Sequence, residues 1–271
     1  MKLFVSADIE GVACIGDPAE VDKSQTNESA IFCKQMTAEV RAACEGAFAG
    51  GADTIVVKDA HWTGRNMDPH ALRAPDGKTL RLIRGWSGHP FAMVQGIDAS
   101  FDAVAFIGYH SAAGIGTNPL AHTISGRHFA NVKINGETAS EFLIYAYAAA
   151  SVGVPLIFLS GDLALCNDAA HRIGGLETVP VIEGFGASVE SILPHEATQR
   201  IRDGMERAIS MKMVASLQPP RQIHTEIVFH KPSVAYAKAF YPGAELASDT
   251  TVVFDTNEYF EVLRFLWFMA Q

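Results

Sequence analysis

Asp8 and Glu10 sit two residues apart behind the short apolar run Lys2–Ala7, and Gly11 follows them at once. If the chain stays extended there, both carboxylates point to one side, because side chains alternate along a strand. Gly11 then lets the backbone turn away without steric cost. Two carboxylates this close repel unless a cation lies between them, so the pair predicts a divalent metal. His61 follows a second apolar run, DTIVV, and His110 follows a third, AVAFI. Imidazole with carboxylate suits zinc, and also manganese or cobalt. Four such side chains exceed what one open catalytic zinc site needs, since that site takes about three protein ligands. Two metals sharing a bridging carboxylate would use the set, and Asp8, the first residue off its strand, is the natural bridge. Taken singly, each residue also has a structural reading: Asp8 as a turn former or helix cap, Glu10 as a surface acid, His61 paired with Asp59, His110 as a satisfied core histidine.

The positioning elements follow from hydrophobic period and breakers. Strands are predicted over Lys2–Ala7, 53–57, 80–83, 103–107, Phe129–Ile134, 155–159, 179–182, 226–229 and 251–254. Helices are predicted over 28–50, 138–151, 163–173, 194–216 and 258–269, with residues 111–121 as a loop. Strands alternating with helices imply an α/β fold: a mostly parallel sheet with helices on both faces. Asp8, Glu10, His61 and His110 then leave separate strands at the carboxyl edge of one sheet, where open α/β sheets bind ligands. Pro219-Pro220 divides residues 1–218, the α/β metallohydrolase core, from residues 219–271, a smaller C-terminal α+β portion packed on the same domain.

The 271 residues, 48% of them hydrophobic, suffice to bury a core for one large domain. A formal net charge of -9 with no basic stretch argues against nucleic acid as a partner. The start MKLFVSADIE lacks the apolar run of a signal peptide, and no stretch approaches the ~20 apolar residues of a membrane span. The expectation is a cytoplasmic protein without a membrane partner. The four cysteines form no C-x-x-C pair, so neither a disulfide framework nor a thiolate zinc site is expected. No G-x-S-x-G and no G-x-G-x-x-G after the first strand leave serine hydrolases and dinucleotide enzymes without support.

The blocks KLFVSADIEG, KDAH, FIGYHSA, GETASEFL and VPLIFLSGD resemble, in order and spacing, the D-aminopeptidase family of dinuclear zinc peptidases, and TTVVFD near the end is similar too. The resemblance implies two zinc ions per subunit, held by Asp8, Glu10, His61, His110 and Glu141. Reasoning from residues alone reaches the first four and leaves Glu137 and Glu141 as rivals at a helix start. It further implies a catalytic histidine after the third block, His122, with His128 as a nearby candidate. Asp59 and Asp162 lie near the same sheet edge, either orienting the histidines or meeting substrate. The implied reaction is metal-dependent hydrolysis of the N-terminal peptide bond of short peptides, D-residues preferred, by a water that two zinc ions activate. The implied assembly is a ring-like homo-oligomer, typically a homodecamer. Two other readings stand beside it. A haloacid-dehalogenase-type phosphatase would use Asp8 as nucleophile, but DIEGV departs from that signature and leaves both histidines idle. A non-catalytic metal-binding assembly protein would keep the ligands and lack turnover.

Overall fold

The computed structural model describes residues 1–24, 28–210 and 217–271. The chain opens with β1 (Lys2–Ala7), a short α1 (Pro18–Val21), the long α2 (Glu28–Ala49), β2 (Thr54–Asp59), β3 (Thr79–Ile83) and β4 (Ala103–Tyr109). A hairpin, β5 (Phe129–Ile134) and β6 (Glu137–Thr138), leads into α3 (Glu141–Ser151), β7 (Leu156–Asp162) and α4 (Leu163–Arg172). Next come β8 (Glu177–Phe185), β9 (Ser188–Ser191) and α5 (Pro194–Ser210). The last elements are β10 (Ile223–Phe229), α6 (Pro232–Lys238), β11 (Ala244–Leu246), β12 (Thr251–Thr256) and α7 (Tyr259–Ala270).

The first sheet runs β3-β2-β1-β4-β7-β8-β9, parallel throughout except for the β8–β9 hairpin. β1 lies between β2 and β4, so successive crossovers leave it on opposite sides. That is the switch point at which ligand clefts open in such sheets. Both faces are covered, and the strands accordingly read as near-continuous apolar runs. Alternation along β1 sends Leu3 and Val5 toward Val40 and Ala43 of α2 and Ile201 of α5. Phe4 faces the other way, into a cluster with Phe142 of α3, Leu266 of α7 and Val132, Ile227 and Val252 of the second sheet. Those buried side chains supply the hydrophobic driving force, at roughly 25 cal/mol per Å² removed from water.

The second sheet, β11-β12-β10-β5-β6, is antiparallel. Its β5 and β6 come from mid-chain, and β10 pairs with β5 on one side and β12 on the other. Residues beyond Pro220 therefore extend a sheet begun by residues 129–138. The β5–β6 turn holds Asn135 and Gly136 at φ 51° and 82°, the left-handed pair that a two-residue hairpin requires.

The predicted α/β class holds, with boundary corrections. The helix predicted over 138–151 starts at Glu141, because Thr138 pairs with Lys133 in β6 and the Ser140 side chain accepts the Leu143 N–H as N-cap. The strand predicted over 179–182 is longer and folds back as β9. The short elements β11 and α6 escaped the period analysis. Of the helix predicted over 194–216, residues 211–216 lie outside the described residues.

Candidate metal centre and active site

Asp8 is the first residue beyond β1, and its N–H still bonds Ile107 O at 2.8 Å. The chain does not stay extended after it. Asp8 Oδ1 accepts the Ile9 N–H at 2.9 Å, and Val12 N bonds Ile9 O at 3.0 Å, so Glu10 reaches the site through a tight turn. Gly11 enables that turn by close approach: its N–H meets Gly108 O at 2.9 Å, and a Cβ on it would stand 1.9 Å from Tyr109 O. Gly161 packs against the same carbonyl, where a Cβ would come within 2.0 Å. Gly108, at φ 70°, sits against Asp8 O. Three glycines thus draw the ends of β1, β4 and β7 together more tightly than side-chain-bearing residues permit.

His61 follows β2 within a loop organised by Asp59. The Asp59 carboxylate accepts Asn66 N at 2.6 Å, Met67 N at 2.9 Å and Asn66 Nδ2 at 2.8 Å, while Asn66 Nδ2 also bonds His61 O. Asp59 therefore fixes the loop that carries His61 and does not itself reach the ring. His110 follows β4, and its Nδ1 bonds Ser111 O at 2.9 Å, which leaves Nε2 directed at the carboxylates. Asp162 anchors that segment: it accepts Ser111 N at 2.5 Å and Ser111 Oγ at 2.7 Å, and caps α4 through Leu165 N at 2.8 Å.

Of the two rival glutamates, Glu141 is buried at the first turn of α3, whereas Glu137 is exposed and paired with Arg172 at 2.7 Å. Glu141 Oε1 accepts the Ile124 N–H at 2.6 Å. His122, on the same segment as Ile124, bonds Leu120 O through Nδ1 at 3.0 Å and stacks on His110 with ring centroids 4.5 Å apart.

The five side chains named from sequence converge with His122. Glu10 Oε1 lies 3.3 Å from His61 Nε2, and His110 Nε2 lies 3.6 Å from both Asp8 Oδ2 and Glu141 Oε2. His122 Nε2 is 3.6 Å from Glu141 Oε1. Ligand atoms of Asp8, His110 and Glu141 form one compact triad, and those of Glu10, His110 and His122 form another.

Electrostatics make the need for a cation explicit. Burial, then Glu10 and Glu141, push the Asp8 carboxyl well above the usual carboxylate range. Burial opposes charge on Glu10 too, but His61 outweighs it and holds Glu10 well below that range. His110 is likewise disfavoured as a cation by burial, yet Glu141 lifts it to about 9. Protons here stand in for a positive charge that the carboxylates demand. Among the described residues, Asp8 Oδ2, Glu10 Oε2, His61 Nδ1 and His110 Nε2 are buried without a hydrogen-bond partner. Natural interiors rarely leave such atoms unsatisfied. Oxygen and imidazole donors of this kind fit zinc and its borderline neighbours.

Asp8, Glu10, His61, His122 and Glu141 line a cleft of about 800 Å³. Its walls include Trp62, Trp86, Met93 and Tyr145, and Arg127 and His128 also line it. None of these walls was marked by sequence except His128: Trp62, Trp86 and Arg127 sit on loops, which carry no period to read, and Tyr145 reads as an ordinary core residue of α3. Lys58, fully buried beneath this wall, holds its ammonium 3.9 Å from the Trp86 ring centre and bonds Asp59 O and Gly85 O.

Histidines and carboxylates gathered at the carboxyl edge of a parallel sheet, over a deep cleft, define a metal-dependent hydrolase. A family model described as D-aminopeptidase matches residues 1–268, and the chain belongs to that family. It is 29% identical to a D-aminopeptidase of Bacillus subtilis (strain 168), across 100% of this chain and 97% of that protein. Its fold superposes with a TM-score of 0.91 on the zinc-dependent D-aminopeptidase DppA of Bacillus subtilis, a self-compartmentalizing protease, at 26% identity, covering 99% of this chain and 96% of that one. Membership makes this chain a metal-dependent aminopeptidase. The phosphatase reading has no support in these relationships. No described helix is long and apolar enough to cross a membrane.

Proposed function

We propose that this chain removes the N-terminal residue of short peptides, D-amino-acid-containing ones foremost, at a centre of two divalent ions held by Asp8, Glu10, His61, His110 and Glu141. The observation that carries the reading is the set of buried carboxylate and imidazole atoms 3.3–3.6 Å apart from four chain segments, with Asp8 Oδ2 and His110 Nε2 lacking any hydrogen-bond partner among the described residues. Asp8 feels both Glu10 and Glu141, which supports the reading that it would be shared by two ions. Zinc is the first choice, with manganese and cobalt compatible with the same donors. Divalent ions bound there supply Lewis-acid activation of a water and of the scissile carbonyl.

The protein's own groups do the rest. Glu141 is held by Ile124 N and orients both His110 and His122. The Leu120 carbonyl keeps the His122 proton on Nδ1, so Nε2 opens to the cleft as the atom that exchanges a proton with the leaving amine. His122 is the more exposed member of the cluster, 25% accessible against 5% for Glu141, as a group meeting substrate must be. The Trp62, Trp86 and Tyr145 walls shape the pocket and exclude water.

For assembly, we propose the ring-like homo-oligomer, a homodecamer in its typical form. The self-compartmentalizing relative supports it, as do the exposed aromatics Tyr236, Phe240 and Phe268.

One experiment tests the mechanism. Exhaustive chelation should abolish hydrolysis of a D-alanyl anilide, zinc or manganese should restore it at two ions per chain, and p-nitrophenyl phosphate should stay untouched. His122→Ala should keep its metal and lose turnover by about 10²–10⁴-fold. Full activity without metal, or near-wild-type turnover in the variant, overturns the assignment.

A further inference from the structure

The cleft has two electrical ends, and only one belongs to the metal centre. Asp8, Glu10 and Glu141 form its buried, acidic floor. Arg127 and His128 line the same cleft, and Arg127 is exposed, so its guanidinium stands at the rim. Among the described residues Arg127 has neither an ion pair nor a side-chain hydrogen bond. Its neighbours are cationic as well. The His128 imidazole is held below its ordinary range by burial and then by Arg127, Lys238, Lys231 and His230. Lys238 is already committed, bonding Phe268 O at 2.8 Å and Gln271 O at 2.9 Å. Of the strong bases in this group, Arg127 is the one that lines the cleft.

Its position is fixed rather than floppy. His128 N and Phe129 N both bond Ser125 O, at 3.1 and 2.9 Å, and His230 N bonds His128 O at 3.0 Å. Phe129 then enters β5 with its ring buried. The same segment begins at His122 and is tied to Glu141 through Ile124. The base of Arg127 is therefore braced by the element that carries the proton-transfer histidine, five residues away.

We propose that Arg127, with His128 beside it, receives the C-terminal carboxylate of a di- or tripeptide while the amino end lies at the metal floor. This rests on the aminopeptidase reading above and adds the selection of length. A planar guanidinium binds a carboxylate through two parallel hydrogen bonds, which a neutral amide cannot match. A di- or tripeptide is about 7–11 Å long when extended, and a cleft of about 800 Å³ accommodates it.

The test uses the metal-loaded enzyme with D-alanylglycine and D-alanylglycinamide, which differ only at the carboxyl end. Wild type should prefer the free acid. Arg127→Gln should lower kcat/KM for the acid about 10–100-fold, mainly through KM, and leave the amide unchanged, so that the preference disappears. Arg127→Lys, which keeps the charge but not the fork, should recover part of it. Equal rates on both substrates in wild type, or equal loss on both in Arg127→Gln, overturn the carboxylate role while leaving the aminopeptidase reading intact. Failure of wild type to cleave either substrate or any D-alanyl anilide overturns both.

Discussion

Gly11→Ala probes the packing that brings the proposed metal ligands together. A Cβ on residue 11 would lie 1.9 Å from Tyr109 O, 2.6 Å from Tyr109 C and 2.9 Å from Gly108 C, whereas real Cβ contacts essentially never fall below 3.0 Å. All three obstacles are backbone atoms and cannot rotate aside. The β1 turn and the end of β4 must therefore part by about 1 Å. The first carries Asp8 and Glu10, and the second carries His110. Metal–ligand bonds are about 2.0–2.2 Å long and tolerate only about 0.2 Å of error. A separation of 1 Å at the backbone consequently breaks the geometry shared by Asp8 Oδ2 and His110 Nε2, now 3.6 Å apart.

The expected result is a folded protein, destabilised by about 1–3 kcal/mol as overpacked interiors are, with metal affinity reduced at least 10–100-fold. Metal content at buffered free zinc, thermal unfolding and kcat/KM should be measured together. Gly161→Ala presses the same carbonyl from the opposite side, at 2.0 Å, and should behave alike. Gly174→Ala, which meets nothing within 4 Å, serves as the neutral control. A Gly11→Ala protein with its full metal complement and wild-type kcat/KM would refute the close-approach reasoning.

Two further perturbations test the frame around the site. Burial raises Glu39 from 4.5 to about 7, although Ala13 N and Gln35 Nε2 both donate to it at 3.0 Å. Between those pH values the unfolded chain gives up the proton that the folded chain keeps, so stability falls as pH rises, and the full cost of roughly 3 kcal/mol is present above pH 7. Glu39→Gln should therefore be the more stable protein at pH 8 by up to that amount and equal to wild type near pH 4, as urea titrations at both values will show. Asp162→Asn should loosen Ser111, and with it the carbonyl that orients His110; metal affinity is expected to drop about tenfold, readable by competition with a chromogenic chelator.

The legible part of this protein is the part written in local pattern. Asp8, His61 and His110 each end an apolar run, and a polar residue ending a buried strand announces a sheet edge. Glu10 joins the cluster by a route other than the strand period, because the Ile9 N–H donates to the Asp8 carboxylate and the chain turns before that period can act. Glu141 could not be told from Glu137 by spacing, since the choice depends on where the hairpin stops and Ser140 caps the helix. The second sheet was only half visible. Its β5–β10 pairing joins residues about 90 apart, and no local period encodes a partner that distant. Arg127 and the tryptophan walls sit on loops, where solvent and ligand rather than a core decide the residue type.

Charge orders the cleft along its length, and that order restricts how a substrate lies in it. The floor concentrates carboxylates, and the rim presents a guanidinium with no partner among the described residues. Once the two proposed ions are bound, their charge offsets the three carboxylates, so the orientation of a zwitterionic short peptide rests on Arg127, which holds the carboxylate outward and leaves the amine inward. A reversed peptide would bring its ammonium against that guanidinium, so the rim favours presentation of the N-terminal bond. A longer peptide keeps the inward amine but carries its carboxylate past Arg127, and loses the second anchor. Exclusion of long chains then needs no lid: the same enzyme should show a fall in kcat/KM as residues are added at the carboxyl end, and that fall should flatten in Arg127→Gln.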